Sequence, residues 1–371
     1  VIPDVVGGLP PMDVAGRIPR LRSRLGDAGC DALLVTRLGN IRYLTGFTGS
    51  AALLLVLADR TVFVTDGRYG QQAFEQLDRS GVPADPEVVT SAAGQVERLA
   101  AIASGVARVG LEANDVSWAG QRTWADALGG QVVPTEGLVE SLRAIKDDGE
   151  IARIEAAAGI ADAALARCRP RLGDGITEKE FQLELDHTMR LLGANDVSFE
   201  TIVGSGPNGA RPHARPTHRA IGEGDLVVLD FGALLDGYHS DISRTVAVGE
   251  PSVTQRRMLE VVAAAQQAGC DAVGAGVEAA AVDRACRKII AEAGWGDVFL
   301  HGTGHGVGLD IHEDPRVGAA ATATLAPGHV VTVEPGVYLP EHGGVRIEDT
   351  LVVTPSGSRR LTHAPKEPRL P

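Results

Sequence analysis

Apolar positions recur with two periods along this chain, and the change from one to the other divides it. In the first part, short apolar runs alternate with amphipathic stretches. A helix-like spacing from about Val14 to Ala28 leads into the run ALLVT, Ala32 to Thr36. AALLLVLA (Ala51 to Ala58) and TVFVT (Thr61 to Thr65) are separated by Asp59-Arg60 and read as a hairpin. A helix follows from about Tyr69 to Arg79, then weaker signals up to the run Val132 to Pro134. The alternation predicts a small α/β domain, and no glycine-rich phosphate loop occurs in it.

Lys146-Asp147-Asp148-Gly149 is polar and turn-like, and an Ala-rich amphipathic pattern runs from it to about Cys168. The domain boundary is therefore placed near residues 140–150, giving domains 1–142 and 143–371. A second helix is expected from Glu178 to Leu192, with Thr177 as its N-cap and Glu180 completing a capping box. After Asn195 the two-residue period dominates, interrupted by helices near Thr254–Ala268 and Ala279–Ala293. Helices, hairpin, helices, hairpin suggests an approximate internal duplication without a sequence repeat.

Length agrees with this division, since 371 residues is long for one core. The net charge of −13 argues against a nucleic-acid partner, which would need a basic stripe. Cys30, Cys168, Cys270 and Cys286 show no metal or redox spacing and read as free thiols of a reducing compartment. No apolar run approaches the roughly 20 residues of a membrane span, and the N-terminal stretch has no leader-like pattern. The expectation is a cytoplasmic protein with no membrane partner.

Candidate chemistry lies in the second part. Asp230 in VVLDFGA, Asp241 in YHSDISRT, His305 in HGTGHGVGL, Glu334 in VTVEPGVY and Glu348 in GVRIEDT are five candidate metal ligands. Four carboxylates and one imidazole are costly to bury together unless positive charge sits among them. Two divalent cations would answer that cost, and two-metal sites suit hydrolysis.

The geometry of the aspartates follows from Asp236-Gly237, which favours a two-residue type I′ turn. If Leu235 pairs with Tyr238, Asp230 falls opposite Ser243 and Asp241 opposite Gly232, so the aspartates share one face as diagonal neighbours. In HGTGHGVGLDIHEDP four glycines make a helix improbable. An extended strand would turn His301 and His305 to one side, with backbone or substrate close to the glycines. His312 follows within the same stretch. Glu334 precedes Pro335, which biases it toward extended backbone, and Glu348 interrupts an apolar strand.

These residues resemble the "pita-bread" metallopeptidases, which include aminopeptidase P, prolidase and methionine aminopeptidase. The resemblance covers about residues 150–365 and contains all five ligand contexts in the family's order. It implies an α+β pita-bread (creatinase/aminopeptidase-like) catalytic domain preceded by a smaller α/β domain. NIRYLTGFTGS and VTDGRYGQQA resemble the first domain of the proline-specific members, with GFTGS and TDGRY closer to aminopeptidase P.

By that resemblance Asp230, Asp241, His305, Glu334 and Glu348 bind two divalent ions, Mn²⁺ foremost, with Co²⁺, Fe²⁺ or Zn²⁺ as alternatives. A water between the ions attacks the carbonyl before proline, and Glu334 relays its proton. His213, in SGPNGARPHARPTHR, joins His301 and His312 in positioning carbonyls and stabilising charge. Phe199 is read as a pocket wall and Arg346 as a carboxylate or network residue; His218 has no assigned role. The implied function is a Xaa-Pro aminopeptidase, a homodimer acting on peptides with proline second. Prolidase is the alternative, ahead of a metal-independent creatinase-like amidinohydrolase or a non-catalytic binding module.

Overall fold

A computed structural model describes residues 4–129 and 132–370; residues 1–3, which begin the N-terminal stretch considered above, and residues 130, 131 and 371 lie outside it. The chain divides into two compact units. One is Met12–Arg143, and the other begins at Ala144 and also takes in the stretch up to Pro11.

The smaller unit is a six-stranded sheet with helices. In chain order its elements are α1 (Arg17–Leu25), β1 (Ala32–Val35), α2 (Leu38–Thr45), β2 (Ala52–Val56), β3 (Thr61–Thr65), α3 (Gly70–Arg79), β4 (Asp85–Val88), α4 (Ala92–Ile102), β5 (Val109–Glu112), α5 (Trp118–Ala127), β6 (Val132–Thr135) and α6 (Glu140–Arg143). The sheet order is β4-β3-β2-β1-β5-β6. The hairpin expected across Asp59-Arg60 forms, pairing Val56 with Thr61. β1 and β3 are buried along their whole length, which is why both read as unbroken apolar runs.

The two stretches that resembled proline-specific enzymes pack on each other here. NIRYLTGFTGS supplies α2, which ends at Gly46 with φ 76°, a left-handed cap that glycine adopts readily. Phe47 meets the Tyr69 ring edge-on at 5.7 Å, and Ser50 Oγ lies 2.7 Å from Tyr69 Oη. Asp66 accepts from the Arg68 guanidinium. Their joint occurrence therefore has a folding reason within this unit.

The larger unit carries two helix pairs and two groups of strands. The first pair is α7 (Asp148–Cys168) and α8 (Glu178–Leu191), each opened by a capping box, at Asp147/Glu150 and Thr177/Glu180. They share a core with β8 (Ile202–Ser205), β9 (Leu226–Phe231), β10 (Ala233–Leu235) and β12 (Ile242–Ala247), while β7 (Asp196–Val197) and β11 (Tyr238–His239) flank β10. The second pair, α9 (Val253–Ala272) and α10 (Ala279–Glu292), shares a core with β14 (Glu313–Val317), β15 (Val330–Val333), β16 (Gly336–Leu339), β17 (Gly343–Arg346) and β18 (Asp349–Thr354). β13 (Gly304–Gly306) and β19 (Gly357–Arg360) complete the five-stranded sheet β14-β13-β15-β18-β19.

β9 lies between the two cores. Val227, Leu229 and Phe231 face the first, and Leu226 faces the second. The strand's two-residue period puts Asp230 on the side of Leu226, away from the first core. On β12 the same parity groups Asp241, just ahead of the strand, with Ser243, Thr245 and Ala247. All four cysteines are free and buried, and no described helix is long and apolar enough to cross a membrane.

Candidate metal centre and its cleft

The Asp236-Gly237 turn forms with φ of 47° and 75°, both positive as a type I′ turn requires. Leu235 pairs with Tyr238 and Asp230 with Ser243, so the register is the one the turn predicts. Asp230 sits near the end of β9, and Asp241 is the residue before β12. Glu334 follows β15 directly, and Glu348 fills the break between β17 and β18. Strand ends thus aim four acids into one place.

Carboxylate oxygens of Asp230, Asp241 and Glu348 lie within 4.8 Å of one another. His305 Nε2 stands 3.5 Å from Asp241 Oδ2 and 3.5 Å from Glu334 Oε1. Burial, with repulsion from Glu348, Asp230 and Glu334, pushes the Asp241 carboxyl well above the carboxylate range. Glu348 shifts the same way for the same kind of reason, and burial pushes Glu334 up to about 8.

Three observations test whether these residues suit a divalent cation. Asp230 Oδ1 and Glu348 Oε1 are buried with no hydrogen-bond partner, although Arg346 and Ser243 satisfy the other oxygen of each. A buried oxygen without a partner is costly, and a cation is the partner that serves several at once. The tautomer of His305 supplies the second test. Its Nδ1 lies 3.0 Å from the Gly306 carbonyl, which can only accept, so the proton sits on Nδ1. Nε2 then turns a lone pair toward two carboxylates, an unfavourable arrangement unless positive charge lies between. Burial holds this imidazole at about 4, so it stays neutral. Third, the donor set is oxygen-rich with one imidazole, suited to hard or borderline divalent ions. The residues fit the group.

The glycines around His305 bring strands together. A Cβ on Gly304 would stand 2.0 Å from the Thr332 carbonyl oxygen, and one on Gly306 would stand 2.3 Å from that of Asp314. No side chain fits at either position. The histidine is therefore presented by a backbone that other residues could not form.

The acids floor a cleft of about 580 Å³ whose walls include Phe199, His213, His301, Ile311, His312 and Arg316. All the candidate site residues named from sequence thus meet at one place, while His218 is not among the lining residues. Their geometry separates the three histidines. His301 Nδ1 donates to the Gly302 carbonyl at 2.8 Å, leaving Nε2 to accept from Tyr338 Oη at 2.9 Å. Both nitrogens are engaged, and burial keeps the ring neutral at about 4. His213 and His312 make no such paired bonds, and both are exposed to the cleft. The His312 ring packs edge-on to His305 at 4.3 Å.

Arg346 is buried and heavily committed. It donates to Ser243 Oγ, the Pro212 carbonyl, Tyr338 Oη and Asp230 Oδ2, the last at 2.6 Å. Of the two roles read for it, network and substrate carboxylate, this geometry provides the network.

Four contributors escaped the sequence reading. Tyr338 links Arg346 to His301, and its hydroxyl leans over Gly336, where a Cβ would come within 2.5 Å of it. Asp283 on α10 accepts from Thr303 and from Arg287, whose guanidinium also holds the carbonyls of Phe299 and His301. Lys146 Nζ donates to Glu313 Oε2 at 2.9 Å in a buried pair beside His312. Arg316 is exposed on the cleft wall with no hydrogen bond or ion pair among the described residues. Only Arg316 left a local signal, a cation four residues beyond His312.

The sequence matches metallopeptidase family M24 over residues 152–355 and the creatinase/prolidase N-terminal domain over residues 17–145. The Xaa-Pro dipeptidase of Pyrococcus horikoshii is 34% identical across 91% of this chain and 94% of its own length. The structure of the Xaa-Pro dipeptidase from Bacillus anthracis superposes with a TM-score of 0.92 at 39% identity, covering 96% of this chain and all (100%) of that one. The X-Pro aminopeptidase of Thermotoga maritima superposes with a TM-score of 0.85 at 33% identity, over 93% and 98%.

Proposed function

Because the chain belongs to metallopeptidase family M24, with the pita-bread catalytic fold and creatinase-type N-terminal domain of its proline-specific members, we propose that this peptidase is a Xaa-Pro dipeptidase. The observation that carries this reading is the set of five converging ligand side chains, two with orphaned buried oxygens, at the floor of a peptide-sized cleft. The dipeptidase reading replaces the aminopeptidase preference drawn from GFTGS and TDGRY. Those stretches are explained by packing within the smaller unit, and relatives of nearly full length bear the name Xaa-Pro dipeptidase. The aminopeptidase remains the second reading, favoured by the Thermotoga structure.

Asp230, Asp241, His305, Glu334 and Glu348 would hold the cations, two in number and Mn²⁺ by preference. When bound, such ions let the buried acids ionise together and lower the pKa of water to near neutrality. The residues of the chain do the rest. Among the described residues Glu334 Oε1 accepts only a long bond from Thr332, 3.4 Å, and this carboxylate is placed to take a proton and return it to the leaving nitrogen. His213 and His312, with ring nitrogens open to the cleft, donate to the carbonyl oxygen as charge grows on it. His301 holds Tyr338, and through it Arg346, in place. Phe199 and Ile311 offer apolar surface to the proline ring, whose nitrogen has no hydrogen for a strand-reading protease to use.

A dipeptide ends in a carboxylate next to the scissile bond, and among the described residues Arg316 is a guanidinium on the cleft wall with no hydrogen bond or ion pair. Turnover of Ala-Pro and Ala-Pro-Ala by the Mn²⁺-loaded protein tests the reading. We expect Ala-Pro to be preferred by at least about tenfold in kcat/KM, and Arg316→Gln to raise KM for Ala-Pro by about tenfold. Preference for the tripeptide would establish the aminopeptidase instead.

A further inference from the structure

Glu178 is the first residue of α8, yet its side chain is fully buried, with 0% exposure. Among the described residues its carboxylate accepts six hydrogen bonds from Ser205, Asn208 and Thr217. Oε1 accepts from Ser205 N at 2.7 Å, Ser205 Oγ at 2.7 Å and Asn208 Nδ2 at 3.1 Å. Oε2 accepts from Asn208 Nδ2 at 3.1 Å, Thr217 N at 2.9 Å and Thr217 Oγ1 at 2.6 Å. Burial opposes the charge, but the bonds from Thr217 and Ser205 outweigh it and hold the carboxyl below its usual range. The backbone joins in, since Glu178 N and Lys179 N donate to the carbonyls of Arg219 and Thr217.

One carboxylate thus grips both ends of a loop. Ser205 ends β8, Thr217 lies twelve residues on, and between them Pro212 to Pro216 line the cleft. Inside the loop, Pro212 O accepts from Arg346, and Gly209 packs so tightly that a Cβ would stand 2.8 Å from the Gly204 oxygen. His213 makes no hydrogen bond of its own among the described residues. Its direction is therefore set by the loop rather than by partners of the ring.

We infer that Glu178 is the positioning residue for His213, its carboxylate clamping the 205–217 loop so that this imidazole is held over the acid cluster. This rests on the dipeptidase reading for its kinetic consequence only. Closing a loop at both ends on one fixed group removes most of its freedom, and a misplacement of about 1 Å is enough to cost rate.

Glu178→Gln tests it, because an amide N–H₂ would face donors on one side. Amide hydrogen exchange of residues 206–217 should quicken by about tenfold or more while β9 and β12 keep their protection. In the Mn²⁺-loaded protein kcat on Ala-Pro should fall about tenfold with Mn²⁺ content unchanged. In a His213→Ala background the same change should cost less than about twofold, since both act by one route. Thr217→Val, which removes one exposed arm of the clamp, should move each readout in the same direction by about threefold, and it carries the test if Glu178→Gln does not fold. Unchanged exchange in the loop overturns the inference, and so does an equal loss with and without His213. If the unaltered protein does not cleave Ala-Pro, the dipeptidase reading falls while the exchange experiment still decides the clamp.

Discussion

Asp241→Ala is expected to lose on the order of 10³-fold or more of kcat/KM on Ala-Pro and to retain no divalent metal through dialysis. The reason is specific to its place. Asp241 contributes one of three mutually close carboxylates and also faces His305 Nε2, so its loss leaves the imidazole lone pair and the orphaned oxygens of Asp230 and Glu348 without a shared partner. Misfolding is separable from this effect. In the metal-free state Asp241 is a buried acid surrounded by other acids, so removing it relieves repulsion. The chelated variant should melt at or above the chelated parent at pH 8, and a lower melting point with loss of activity would point to a structural fault instead.

The second large effect is on stability. In the metal-free protein burial pushes Glu334 up to about 8, against 4.5 for an ordinary glutamate, and Asp241 and Glu348 are also raised. Between those two values the folded chain holds protons that the unfolded chain has released. Unfolded chains therefore bind fewer protons, and stability falls as pH rises through that window. The buried histidines His301 and His305, neutral when folded, give the opposite trend below their ordinary value of 6.5, so the acids govern the slope above it. We expect the chelated protein to melt about 3 °C or more lower at pH 8 than at pH 6.5. Mn²⁺ should recover more of the melting temperature at pH 8 than at pH 5, because cations bind the ionised acids. A melting temperature that is level or rises between pH 6.5 and pH 8 would contradict the assignment of these acids to one buried site.

What could be read from the sequence, and what could not, follows the range of the interactions. The Asp236-Gly237 turn and the Thr177/Glu180 capping box are local, and local chemistry specified both the register of Asp230 against Ser243 and the start of α8. The glycines of HGTGHGVG signalled close backbone approach, which Gly304 and Gly306 display. The network behind the ligands was hidden because its partners are distant in sequence. Arg346 reaches Asp230 across 116 positions, and nothing in VYLP or GVRIE announces that Tyr338 will bridge Arg346 to His301. His301 shows the limit most clearly. Its place in the cleft was legible, but its engagement on both nitrogens depends on Gly302 and Tyr338, so the open donors we propose are His213 and His312. α2 went unread because eight residues carry too little periodicity, and GFTGS and TDGRY were credited with substrate preference where they contribute packing.

The most direct measurement titrates Mn²⁺ into the chelated protein while following bound metal and Ala-Pro hydrolysis together. The account predicts no turnover at the start, recovery in step with bound ions, and saturation at two per chain. Full Ala-Pro hydrolysis by protein shown to contain no metal would contradict it.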